Sequence, residues 1–215
     1  VSPHFATSMG IVRRNLSQCD VQIVSNATPL SDKKARALLH GNPSRIFFSI
    51  DSINPTRYAQ LRPGANWETT RENLERFMRL KGRSRWPTVT VTTILSKTNE
   101  DEIEQIADFC AALGVDAYRV QHLATFADVP TTLEPASDTK SLRQRFLKLQ
   151  FRLLRRGVVF DQPFAFRWEK FLSVLMAARL HRDRFGYFKY LAGSMIGFLS
   201  SPCRLIGWET VAFRN

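Results

Sequence analysis

Between residues 21 and 123, short runs of apolar and β-branched side chains alternate with stretches whose apolar residues recur every three or four positions. Residues 21–24 (VQIV), 46–50 (IFFSI), 88–95 (TVTVTTIL) and 118–123 (YRVQHL) read as strands. Residues 31–40 form a helix capped by Ser31-Asp32 and stopped by Gly41. Residues 67–80 form an amphipathic helix with Trp67, Leu74, Phe77 and Met78 on one face. A third helix, capped by Asn99 and ended at Gly114, carries Ile103, Ile106, Ala107 and Cys110 at helical spacing. With an initial helix over 5–16, the order is α followed by β-α-β-α-β-α-β. That pattern predicts an α/β fold with parallel strands, an open sheet or part of a (βα) barrel.

In either architecture the chemistry sits at the C-terminal ends of the strands. The residues there are Ser25 and Asn26, Ser49 and Asp51, Lys97 and Asn99, and Gln121 and His122. All four ends are polar. Loop starts are often polar for capping reasons alone, so the pattern marks candidates and does not define a site.

A polar segment with two prolines, residues 129–139, reads as a linker after the alternating region. Charge changes across it. Residues 1–130 hold 16 Lys/Arg against 13 Asp/Glu, and residues 131–215 hold 15 against 6. A helix is expected over 140–156, with Leu142, Phe146, Leu149 and Leu153 on one side and arginines on the other. A second is expected over 169–180, and the apolar stretch 187–199 is expected to pack on the barrel. Basic residues 143–184, interleaved with aromatics such as Phe146, Phe151 and Trp168, could contact nucleic acid. A solvated basic face over a packed core explains the same residues.

The three cysteines (Cys19, Cys110, Cys203) are too scattered for a disulfide framework, which favours a reducing, cytoplasmic setting. Cys19 and Cys110 sit on apolar helical positions and are expected to be buried thiols. The start of the chain has neither the basic residues nor the apolar run of a signal peptide, and its longest apolar stretch is too short to span a bilayer. No Gly-rich phosphate loop occurs, which weakens an ordinary barrel acting on phosphorylated metabolites.

Four segments, in order and over about 120 residues, carry a resemblance. Residues 23–30 (IVSNATPL) look like a third-strand "TNG-x-L" pattern. Residues 46–52 (IFFSIDS) look like a fourth-strand "i-s-l-D" pattern, followed by Y-A-Q-L-R-P-G at 58–64 and T-R-E-N-L at 70–74. Residues 90–103 resemble a fifth strand with its "N-x-x-E-i" helix start. The chain therefore resembles the core domain of radical S-adenosylmethionine (SAM) enzymes. Its opening residues, Val1 to Phe5, are similar to those that follow the second-strand "G-G-E-P" segment of that family.

The resemblance implies a partial (βα)6 TIM-like barrel with parallel strands over residues 1–128, a basic, mainly helical extension over 140–200, and the beginning of an auxiliary-cluster (SPASM-type) domain over 201–215. It implies S-adenosylmethionine and a [4Fe–4S] cluster as cofactors, an electron donor protein as partner, and a peptide or small molecule as substrate. In the family the cluster reduces SAM to a 5′-deoxyadenosyl radical. By position, Ser49 would hydrogen-bond the ribose or the methionine end of SAM, and a hydroxyl suits either. Asp51 would contact ligand or orient its loop. Ser25 and Asn26 would line the mouth, Arg62 would meet the SAM carboxylate, and Gln121 and His122 would lie near adenine or substrate. Cys203 would be the first ligand of an auxiliary cluster.

One departure stands out. No two cysteines lie closer than 91 residues, so the family's Cys-x3-Cys-x2-Cys triad is absent from this sequence. The expectation is that the triad lies upstream of Val1 and that this chain by itself does not cleave SAM. Two other readings stay open: a non-catalytic barrel that retains a SAM or nucleotide pocket, and a basic RNA-associated protein.

Overall fold

The computed structural model describes residues 5–15, 21–84, 86–123, 133–136 and 139–162. Cys19, Cys203, the helix expected over 169–180 and the apolar stretch 187–199 lie outside them. The elements are α1 (Phe5–Asn15), β1 (Gln22–Ser25), α2 (Asp32–His40), β2 (Arg45–Ser49), α3 (Pro55–Leu61), α4 (Trp67–Lys81), β3 (Thr88–Leu95), α5 (Ile103–Leu113), β4 (Ala117–His122), α6 (Lys140–Arg155) and β5 (Val159–Asp161). The five strands form one all-parallel sheet in the order β1-β2-β3-β4-β5. Sequential order with a helical crossover between neighbours is the arrangement of a partial (βα) barrel.

Local chemistry accounts for most boundaries. Ser31 caps α2, its hydroxyl accepting from the Lys34 N–H, and the Gly41 N–H closes the helix on Ala37 O. Asn54, Asn66 and Thr139 cap α3, α4 and α6 in the same way. Gly114 ends α5 in the left-handed region, φ 73°, which costs glycine nothing. α3 was not evident as a helix from periodicity, because seven residues hold only two turns. Its signals are Asn54 at the cap and Pro55 in the first turn.

The sheet has two unlike faces. Ile23, Ile46, Phe48, Val89, Val91, Tyr118, Val120 and Phe160 face the helices and join Leu38, Leu74, Phe77, Ile103, Ile106, Cys110, Phe146 and Leu149 in one core. Residues of alternate register face the other way, toward what is the interior of a barrel. Register sorts them into rows: Val24, Phe47, Thr90, Ala117 and Val159 in one, then Ser49, Thr92, Arg119 and Asp161 nearer the C-terminal edge. Gln121 pairs with Ile94 in the row above.

The sheet continues past the proline-containing connector, into residues expected to form a helical extension. Glu134 and Pro135 lie against the end of β3, through a backbone bond from Lys97 N–H to Glu134 O and a bridge between Ser96 and Pro135. α6 then packs on the core, and β5 adds a fifth strand beside β4. Phe146 meets Phe160 edge-on at 5.7 Å, and Phe160 stacks on Tyr118 at 5.6 Å. β5 has three residues, too short for its alternation to stand out in the sequence.

Three cations of α6 and its C-cap pair with acidic residues of α5. Arg145 forms a two-pronged bond to Glu104 at 2.6 and 2.7 Å, while Arg152 and Arg156 both pair with Asp108. Burial works against the Glu104 carboxylate, but the Arg145 guanidinium outweighs it and holds the group below its usual range. Phe146→Ala should therefore remove about 3–5 kcal/mol of stability in one cooperative transition. Chemical denaturation followed by circular dichroism checks this, and a loss under 1 kcal/mol would mean that α6 does not share the core.

Candidate functional site at the carboxyl edge of the sheet

β2 and β3 part company just beyond Ser49, and side chains complete the hydrogen bonding there. Ile50 N–H still reaches Thr92 O at 2.9 Å. Beyond it, the Thr93 hydroxyl donates to Ile50 O at 2.5 Å and in turn accepts from the Tyr118 hydroxyl at 3.2 Å. Asp51 Oδ1 accepts from the Ile94 N–H at 2.9 Å. The Asn99 amide donates to Asp51 O at 2.8 Å and to Ile94 O at 2.9 Å, while its oxygen accepts from Ser96 N–H. Buried backbone groups at a splaying edge need partners, and these side chains supply them.

Glu102 secures the next loop. Its Oε2 accepts from the Ser52 hydroxyl at 2.7 Å, Ile53 N–H at 2.8 Å and Asn54 N–H at 3.3 Å, and its other oxygen pairs with Arg57. The loop after β1 is held from α4. Asn73 donates to Ala27 O and Thr28 O at 3.0 and 2.9 Å, and Arg76 donates to Leu30 O. Ala27 stands where the "TNG" pattern has glycine and adopts φ 59°, which costs a residue with a Cβ on the order of 1 kcal/mol. Its methyl group is fully buried.

The residues singled out from sequence divide between two surroundings. Ser49, on the inner face at the last paired position of β2, is half-buried, and its hydroxyl has no partner among the described residues. Gln121 is exposed on the same face, and Asn26 is exposed in the turn after β1. Ser25 falls in the row of Phe48, on the helix-covered face, and its hydroxyl accepts from Ala27 N–H at 3.1 Å. His122 pairs in register with Leu95 rather than with the inner row. Asp51 is buried and holds Arg62 at 2.5 Å as well as the Ile94 N–H. Asn99 does not cap α5: that helix starts at Ile103, with Glu102 at its cap, and the Asn99 side chain is occupied by the strand ends.

The inner row also contains residues that the strand-end rule missed. The buried Thr92 Oγ1 has no hydrogen-bond partner among the described residues. Arg119 donates to Asp161 at 2.8 Å and lies over the Phe47 ring, 5.2 Å from its centre. A cation between Tyr118 and Val120 within β4 was the available sequence signal for Arg119.

Residues 4–110 match the family model described as the radical SAM superfamily. The chain carries a radical SAM superfamily domain. Solved structures of similar fold include SuiB of Streptococcus suis bound to S-adenosylmethionine, with TM-score 0.60 and 13% identity over 73% of this chain and 35% of SuiB. SuiB bound to the precursor peptide SuiA matches at TM-score 0.59 and 13% identity, over 79% of this chain and 37% of SuiB. A domain of a pyruvate-formate lyase-activating enzyme from Bacteroides vulgatus matches at TM-score 0.54 and 15% identity, over 74% of this chain and 91% of that domain. The chain thus spans about a third of SuiB's length. No curated protein matches it.

The cluster and the nucleoside fare differently against these residues. No group of three metal-ligating side chains occurs among the described residues. Cys110 is wholly buried in the core, and burial pushes its thiol far above the usual range, so it offers no thiolate. Among the described residues, the side chains do not fit a [4Fe–4S] cluster. The inner row, with the half-buried Ser49 hydroxyl unpartnered among the described residues, does suit a polar organic ligand. Among the described residues, no helix is long and apolar enough to cross a membrane.

Asn99→Asp would turn an amide donor into a carboxylate facing two carbonyl oxygens. We expect it to destabilise the chain by about 2–4 kcal/mol, measured by urea titration, whereas Asn26→Asp in the exposed turn should change stability by less than about 0.5 kcal/mol.

Proposed function

We propose that this chain is the SAM-facing part of a radical SAM enzyme that modifies a peptide or a small molecule. The observation that carries the reading is the Ser49 hydroxyl. It lies on the inner face at the end of β2, without a protein partner among the described residues, beside a scaffold of Asp51, Asn99 and Glu102 that fixes the strand end. Fold likeness to SuiB, which has been solved with S-adenosylmethionine and with a precursor peptide, supports the ligand class.

Radical chemistry in this family belongs to the cluster, and the cysteine spacing here supplies no triad for it. The role assigned to these residues is to bind and orient. Ser49 meets the ribose or the methionine end of the ligand, with Gln121 exposed two strands away on the same side. The Asp51–Arg62 pair keeps Arg62 on the loop beneath, so its proposed contact with the SAM carboxylate requires exchange of that ion pair. Cys203 as an auxiliary-cluster ligand remains part of the proposal, as do His122 and Asn26 at the mouth, whereas Ser25 falls in the helix-covered row of Phe48. For the alternative reading as an RNA-associated protein, Arg145, Arg152 and Arg156 pair with acidic residues of α5, and basic residues 163–184 lie outside the described residues.

Isothermal titration of the chain with S-adenosylhomocysteine tests the proposal. Binding should weaken about tenfold in Ser49→Ala, the usual effect of one lost ligand hydrogen bond. Unchanged affinity in the variant, or no binding to the unaltered chain, would overturn it. Anaerobic treatment of the chain with iron and sulfide should yield no stable four-iron cluster, as judged by metal content after desalting. A bound cluster at one per chain would show that the cysteines here suffice.

A further inference from the structure

The 16 residues of α6, KSLRQRFLKLQFRLLR, include cations at 140, 143, 145, 148, 152 and 155 and no carboxylate. A carboxylate three or four positions from a cation would relieve such crowding within the helix, and α6 has none to offer. At 3.6 residues per turn its side chains divide among four sides. Leu142, Phe146, Leu149 and Leu153 enter the core. Arg145 and Arg152 turn to the carboxylates of α5. Gln150 lies on the opposite flank and accepts from Gln162, just past β5. The remaining, outward arc holds Lys140, Leu147, Lys148, Phe151, Leu154 and Arg155.

Phe151 is 55% exposed, and Leu147 and Leu154 lie half-buried one turn to either side of it. Together they make an apolar ridge about 10 Å long that spans an arc of about 60°. Lys148 and Arg155 border the ridge on its α5 side, and Lys140 stands at its amino-terminal end; all three are exposed. Among the described residues, no side-chain hydrogen bond, ion pair or ring contact engages Phe151, Lys140, Lys148 or Arg155.

Charge and width together select the occupant. A second copy of this chain would bring the same cations to the contact, and like charges oppose it. A helix that lies on a bilayer presents a broad apolar face, commonly about 100° or more, and here the broad face is already spent on the core. Single-stranded RNA stacks its bases on aromatic rings, and two of the three ridge residues are leucines. A second helix packs its own ridge of side chains across such a row at about 8–10 Å between axes. Carboxylates beside that ridge would meet Lys148 and Arg155.

We propose that the outward face of α6 docks an acidic amphipathic helix of another protein. Phe151 is the apolar anchor between Leu147 and Leu154, and Lys140, Lys148 and Arg155 pair with glutamates or aspartates of the incoming helix. The surface stands apart from the inner face of the sheet, so it does not rest on the function proposed above.

Fluorescence anisotropy on the full chain tests this with a labelled helical peptide of repeated A-L-E-E-L-A-E heptads and a counterpart that has Lys for every Glu. The acidic peptide should bind the unaltered chain, and the lysine peptide should not. Phe151→Ala, and separately the pair Lys148→Glu with Arg155→Glu, should each weaken binding about tenfold. The pair Lys33→Glu with Arg79→Glu removes the same charge from exposed positions on α2 and α4 and should change affinity less than twofold. Because the Phe151 ring is exposed, its truncation should leave the thermal midpoint unchanged.

The proposal fails if the acidic peptide does not bind, binds no better than the lysine peptide, or weakens as much in the α2–α4 pair. It fails if only one of the two α6 variants weakens binding, since anchor and charge must act together. A lowered midpoint in Phe151→Ala overturns it as well, because the ring would then be packed within the chain. Poly(U) and phosphatidylglycerol vesicles serve as rival probes: if either, and not the acidic peptide, loses affinity in Phe151→Ala, the face belongs to RNA or to a membrane.

Discussion

The point on which the rest of the structure depends is the place where β2 and β3 stop pairing. In a closed or closing sheet the strands splay at the carboxyl edge, and backbone groups there lose their ladder partners. Here the Asp51 carboxylate takes the Ile94 N–H, and the Asn99 amide takes the two carbonyl oxygens of Asp51 and Ile94. Two polar side chains thereby act as an extra rung of the sheet. Because every one of these atoms is buried or half-buried, an error in the arrangement would leave unsatisfied groups that cost roughly 1–3 kcal/mol each. That penalty makes the geometry of the edge specific, and Ser49 inherits its position from it.

The same logic explains how the motif residues divide their work. Asn73, Asn99, Glu102 and Arg62 belong to the segments that carry the family likeness, and all four hold loops at the carboxyl edge. Asn73 secures the loop after β1, Glu102 the loop after β2, and Arg62 the Asp51 carboxylate. Their spacing in the sequence reflects the distance from each loop to the helix that reaches it. On the inner face, the Ser49 and Thr92 hydroxyls are without partners among the described residues. A cofactor that performs the chemistry must be held still by groups that do not themselves react.

The inner face is built by register rather than by loops. Ser49, Thr92, Arg119 and Asp161 come from four strands, separated by up to 112 positions between Ser49 and Asp161, and lie in one row because parallel pairing brings them level. Phe47 lies in the row below and supports Arg119 through its ring face. The opposite face is apolar and covered by helices, so the two faces of the sheet have unlike surroundings. Position 51 shows how fine the division is. Its carboxylate, expected either to contact ligand or to orient its loop, is shared between a backbone amide and an arginine.

Alternation of β-branched runs with amphipathic helices determined the α/β class, the parallel sheet, the capped start of α2 and the starts of α4 and α6. Those signals are local, because a strand's burial and a helix's cap depend on residues within a few positions. Family motifs in fixed order made the superfamily legible as well. Tertiary structure alone decided that β5 and α6 extend the sheet, since three residues of strand become recognisable only beside β4. It also decided which polar side chain at each strand end faces the interior. Ser25 and Ser49 look alike in sequence, but one shares a row with Phe48 under the helices and the other a row with Thr92. Register between distant strands sets that difference, and a side-chain period of two means that a shift of one residue reverses it.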